Sequence, residues 1–128
     1  MKNKIKIIYK NLSYQIVGIL FEVYNELGYG YQEKYYQRVV AESLIAHNIM
    51  FKRELRCNLI YKNKKIGKYY LDFLIEDKII LEVKVGTRFN KKHFEQITGY
   101  LHATNLKLGI LASFTPTQIK FTRILNLN

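Results

Sequence analysis

One cysteine, Cys57, is the only thiol in this 128-residue chain. It excludes an internal disulfide, and no Cys/His grouping has the spacing of a zinc site. A reducing, cytoplasmic setting is the expectation. Proline is nearly absent too: Pro116 stands alone, and no repeat, low-complexity block or linker divides the chain. Tryptophan is missing, and the aromatic side chains are mostly tyrosine. No apolar run approaches the ~20 residues that a membrane span needs, so no membrane partner is expected. The basic start, Met1-Lys-Asn-Lys-Ile-Lys, makes a poor secretory signal, because Lys10, Asn11 and Gln15 break any apolar run behind it. Acids are scarce, ten against 21 Lys and Arg, for a net charge of +11. Such a balance draws polyanions, nucleic acid or acidic lipid.

What is present suffices for a folded globule. Hydrophobic residues make up 48% of the chain, which argues against disorder. The length fits one domain over 1–128 with one core, residues 1–12 forming a basic N-terminal segment. Ile16, Leu20, Val23 and Leu27 recur at helical spacing behind Ser13, a candidate N-cap, and Gly28-Tyr-Gly30 stops the helix. A second helix is expected from about Gln32 to His47, with Tyr36, Val40 and Leu44 on one stripe. Strand signals follow over 51–61 and 66–75, joined by a turn at Asn63-Lys64-Lys65, and again over 79–85. Gly86 breaks the chain before a third helix at about 90–103. Two more strands are expected over 106–114 and from Ile119, around the turn at Thr115-Pro116-Thr117. The order ααβββαββ implies a mixed β-sheet flanked by helices, α/β or α+β in class.

The informative stretch is Tyr69-Tyr-Leu-Asp72-Phe-Leu-Ile-Glu76-Asp77-Lys78-Ile-Ile-Leu-Glu82-Val-Lys84-Val85. A turn centred on Asp77 sets Asp72 opposite Glu82, with Cβ atoms roughly 4.5–5.5 Å apart. Two carboxylates that close repel unless a cation lies between them. Alternation puts Lys84 on the same face as Glu82. Two acids and an ammonium on one face suit Mg²⁺ or Mn²⁺, which take carboxylates, water and phosphate oxygens; the backbone carbonyl of Val83 could complete the set. Such an ion activates water and stabilises charge on phosphate. A lysine of ordinary pKa is a poor base, so Lys84 is expected to act by electrostatic stabilisation. Glu33 opens the second helix, and His93, Gln96 and Tyr100 lie on the third.

These residues carry a resemblance. Gly30-Tyr-Gln-Glu33-Lys-Tyr-Tyr36 is similar to the GxxExxY signature, and Asp72, Glu82-Val83-Lys84 and Gln96 follow the D…ExK…Q order of the PD-(D/E)XK nuclease superfamily. Leu71 stands where the pattern has proline. The chain thus resembles the small GxxExxY proteins of that superfamily, from Ser13 to about Ile124. The resemblance implies a restriction-endonuclease-like core and a metal-dependent nuclease, most often acting on DNA. It implies Asp72 and Glu82 as metal ligands, Lys84 as the catalytic lysine, Glu33 as an acidic helper and Gln96 as an orienting group.

Two basic groups stand near these positions. Arg88, Lys91 and Lys92, just past the ExK strand, are the expected phosphate-binding set. Lys62, Lys64, Lys65 and Lys68 cluster on a turn and read as a solvated hairpin that guards a sheet edge. Two other readings stay open: a catalytically inactive nucleic-acid-binding module on the same fold, and a protein-interaction subunit or homodimer with a tyrosine-rich interface.

Overall fold

The helical stripes and alternating strands assemble as their periodicities demand. The structure, a computed structural model, describes residues 8–127; residues 1–7 of the basic N-terminal segment lie outside the described residues. The elements are α1 (Lys10–Leu27), α2 (Glu33–Ala46), β1 (Phe51–Tyr61), β2 (Lys64–Ile75), β3 (Ile79–Val85), α3 (Lys91–Thr104), β4 (Leu108–Phe114) and β5 (Ile119–Leu125). The five strands form one sheet in sequence order. β3 and β4 run parallel through the α3 crossover, and the other neighbours are antiparallel. This mixed α+β sheet with flanking helices is the restriction-endonuclease-like architecture expected.

Each face of the sheet buries a different core. On one side Ile16, Leu20 and Val23 of α1 and Tyr36, Val40 and Leu44 of α2 pack on Phe73, Ile75, Leu81, Val83, Ile110 and Phe114. On the other, Ile97 and Leu101 of α3 pack on Leu74, Ile80 and Leu111, joined by Cys57 and Leu71. Because both faces are covered, β4 is buried along its whole length and β3 along most of it. That explains why both read as nearly unbroken apolar runs rather than as alternation.

Two local expectations change. Helix α1 begins at Lys10, so Ser13 is an interior, fully buried residue and not the cap; its Oγ finds no hydrogen-bond partner. The reason is packing: Ile8, Tyr9 and Leu12 rest on the core and carry the helix past the cap signal. The first hairpin turns at Lys62-Asn63, both in the left-handed region, with Tyr61 paired to Lys64. A two-residue turn of this kind matches strand twist better than the later turn expected from composition.

Gly109 permits α3 to approach β4, since a Cβ there would lie 2.5 Å from Cγ2 of buried Ile97. Gly109→Ala is therefore expected to cost about 1–3 kcal/mol by overpacking, measured by chemical denaturation; unchanged stability would show that α3 shifts freely.

Candidate active site

The site forms where a ladder ends. Glu76 and Asp77 adopt left-handed conformations and turn β2 back into β3. Pairing runs Ile75↔Ile79, Leu74↔Ile80, Phe73↔Leu81, the register expected, and then stops. At that step Asp72 and Glu82 do not meet as a facing pair. Glu82 Oε1 accepts from the backbone N–H of Asp72 at 2.6 Å, and Asp72 Oδ2 accepts from the N–H of Val83 at 2.7 Å. Each carboxylate thus caps an amide that the parting strands would leave unpaired, a need that binary patterning does not register. β2 also turns over here: Phe73 joins the α1/α2 core and Leu71 the α3 core. Across β1, Glu54 drops out of the register between Arg53↔Phe73 and Leu55↔Leu71, at φ 55°.

Helix α2 supplies the next two groups. Lys84 Nζ lies 3.5 Å from Glu82 Oε2 and 3.6 Å from Glu33 Oε2. Glu33 Oε1 also accepts from the N–H of Val85 at 3.2 Å, so it is more than a first-turn carboxylate. Gln37, one turn on, donates through Nε2 to Asp72 Oδ1 at 3.1 Å and to Glu33 Oε2 at 3.4 Å. The start of α2 is pinned by Tyr36, whose ring stacks on Phe114 with centroids 4.3 Å apart. Its buried hydroxyl donates to Gly28 O at 2.5 Å rather than reaching the acids. Below, Gly86 takes φ 130°, which a side chain rarely adopts, and Ser113 Oγ donates to its carbonyl at 2.6 Å.

Burial sets the electrostatics. Glu82 is 2% exposed, and its pKa is pushed from 4.5 up to about 7, first by burial and then by the charge of Asp72, against the pull of Lys84. Burial likewise raises Asp72, opposed by the Val83 amide and Lys84. Burial alone would lower the pKa of Lys84, but Glu82, Glu33 and Asp72 outweigh it and the net shift is upward. Lys84 is therefore an ammonium at neutral pH.

The third helix behaves differently from expectation. The hydroxyl of Tyr69 donates to Gln96 O at 3.2 Å, and Gln96 lines a groove with Leu59, Ile60 and Tyr69 on the far side of the β1–β2 hairpin. Among the described residues no hydrogen bond or ion pair joins Gln96 to Asp72, Glu82 or Lys84. His93 instead turns toward the cluster. Burial and then Lys84 lower its pKa while Glu33 pulls upward, and its buried Nδ1 has no partner. Tyr100 lies by Cys57, not by the acids. Arg88, Lys91 and Lys92 are exposed, and Lys91 pairs with Glu95 at 3.9 Å. Gln37 was not among the expected site residues; its signal was its place one helical turn after Glu33.

Fully ionised, Glu33, Asp72, Glu82 and Lys84 carry a net charge of two minus, so a small hard divalent cation suits them. Among the described residues no three His, Cys, Asp or Glu side chains are arranged to hold a metal together. The donor set is thus the two carboxylates, each oxygen keeping a lone pair beyond its present partner.

Two acids and a lysine thus gather where β2 and β3 part in an α+β sheet. The family model described as the PD-(D/E)XK nuclease superfamily matches residues 10–124, and the chain belongs to that superfamily. Membership supports a nuclease, a hydrolase of phosphodiester bonds. The crystal structure of SSO0001 superposes with a TM-score of 0.55 at 24% identity, covering 73% of this chain and 50% of that one. An alkaline exonuclease (LHK-Exo) from Laribacter hongkongensis gives a TM-score of 0.45 at 16% identity, over 67% of this chain and 52% of that one. The chain spans about half the length of either. No curated protein matches. Among the described residues no helix is long and apolar enough to cross a membrane.

Between about pH 4.5 and 7 the folded protein keeps a proton on Glu82 that the unfolded chain has lost. Raising the pH through that window therefore favours unfolding. Denaturation in chelator is expected to show stability falling from pH 5 to 7, with the slope flattened in Glu82→Gln; an unchanged slope in that variant would refute the burial argument.

Proposed function

We propose that this chain is a divalent-metal-dependent nuclease that hydrolyses phosphodiester bonds, in DNA more than RNA. The observation that supports it best is the crossed Asp72–Glu82 pair with Lys84 held between Glu82 and Glu33. Asp72, Glu82 and the carbonyl of Val83 would hold Mg²⁺ or Mn²⁺, which when bound supplies activated water and charge neutralisation on the phosphate. The remaining work belongs to the chain's own groups. Lys84, kept protonated by its carboxylates, offers its ammonium to the charge that builds on the phosphate oxygens. Glu33 holds that ammonium in place and anchors β3 through Val85. Gln37 aims the Asp72 carboxylate. Gln96 forms no hydrogen bond to these groups among the described residues, whereas His93 feels the charges of Lys84 and Glu33. The Glu33 and Tyr36 roles fit the GxxExxY signature, and the single thiol fits a cytoplasmic setting. Self-association as a homodimer is open to light scattering.

A second reading has one observation in its favour. All four oxygens of Asp72 and Glu82 already have protein partners. A catalytically inactive nucleic-acid-binding module would keep them so. Titration calorimetry separates the two: Mn²⁺ binding by the wild type that is lost in Glu82→Ala supports the nuclease and excludes the inert module.

In cleavage assays with Mg²⁺ or Mn²⁺ on plasmid and single-stranded DNA, Asp72→Ala is expected to abolish product. Lys84→Ala should slow turnover by about 10²-fold or more, and Gln37→Ala should act in the same direction more weakly. Cleavage that persists unaltered in Asp72→Ala would remove this site from the chemistry.

A further inference from the structure

β2 pairs with β3 only over Phe73–Ile75, yet it pairs with β1 along nearly its whole length. The outer part of the β1–β2 hairpin therefore runs beyond β3 as a two-stranded arm. One face of the arm, with Leu55, Cys57, Tyr69 and Leu71, packs toward α3. The opposite face carries the cross-strand pairs Arg56↔Tyr70 and Asn58↔Lys68, all four exposed. From Arg53 to Lys68 the chain has six basic side chains and one acid, Glu54. Among the described residues none of the six lies within ion-pair distance of a carboxylate, while of the α3 set Lys91 is paired and Arg88 and Lys92 are not.

The root of the arm opens onto the acids. A cleft of about 450 Å³ is lined by Gln37, Arg53, Glu54, Tyr70, Leu71 and Asp72. That volume is in the range of small-ligand pockets, roughly 300–1,000 Å³, enough for one nucleotide. Tyr70 is 51% exposed there, a ring set among cations beside a site carboxylate. Aromatic faces interleaved with basic groups suit unpaired bases, because a duplex hides its base faces.

Resting on the nuclease reading above, we propose that the substrate is engaged as a single strand along this arm. Tyr70 stacks on a base next to the phosphate at Asp72, and Arg53, Arg56 and Lys68 take flanking phosphates. Glu54, the other acid of the cleft, stands opposite Asp72 where the β1–β2 ladder skips a pair, and takes no phosphate. The α3 set of Arg88, Lys91 and Lys92 is then secondary.

Fluorescence anisotropy on the full chain in chelator, with a labelled DNA 20-mer single-stranded or as its duplex, tests this without any cleavage. The single strand is expected to bind more tightly. Tyr70→Ala should weaken it about tenfold, and Tyr70→Phe should restore it. Arg56→Ala with Lys68→Ala should reduce the salt slope by about 0.7 for each phosphate no longer neutralised. Lys91→Ala with Lys92→Ala should change little. All these side chains are exposed, and thermal melts verify folding. Equal binding of single strand and duplex, no effect of Tyr70→Ala, or losses confined to the α3 pair would each overturn the proposal. If this pattern appears but no metal releases products, the nuclease reading fails and the strand-binding arm stands.

Discussion

Parting two hydrogen-bonded strands leaves amides without partners, and in this protein the gap between β2 and β3 is closed by acids. Asp72 and Glu82 reach across to the backbone N–H groups of Val83 and Asp72. The exchange keeps Glu82 buried and Asp72 half-buried, adjacent and hydrogen-bonded, at a place where ordinary ladder pairing would have faced them squarely. The same parting turns β2 over, so that Phe73 and Ile75 pack under α1 and α2 while Tyr69 and Leu71, at the same alternation, pack under α3.

Everything nearby follows from that buried negative charge. Its proximity keeps Lys84 protonated despite burial. Lys84 in turn draws in Glu33, and Glu33 ties α2 to the end of β3 through Val85. Gln37 closes the circuit from α2 back to Asp72. Tyr36 and Phe114 hold the helix start above the strands, so a stacked pair of core rings positions a polar site. Each side chain is placed by another, which is how preorganised charge is maintained without solvent.

Much of this was legible along the chain. The order of elements follows from apolar periodicity, because α1, α2 and α3 each bury one stripe and β3 and β4 are covered on both faces. The hairpin register followed from the turn at Asp77, since antiparallel pairing leaves no freedom once the turn is set. Asp72, Glu82, Lys84 and Glu33 stood out by type and order. Gln37 did not, because a glutamine on a helix has no pattern that marks it until the opposing strand is in place. Gln96 shows the converse: its place in a motif says nothing of which side of α3 faces the acids. The basic hairpin over 62–68 read as an edge guard because composition does not say that its strands lead down to the cleft beside Asp72.

The sequence by itself determined which segments are helix and strand, how the β2–β3 hairpin is registered, and that two acids and a lysine come together, since those depend on local periodicity and turn geometry. Only the tertiary structure decided that the strands part at that point, that the acids bind backbone amides across the gap, and that α2 brings both Glu33 and Gln37 to the cluster. Those outcomes depend on which faces the two cores bury and on where unpaired amides are left, and neither quantity is written in any single stretch of chain.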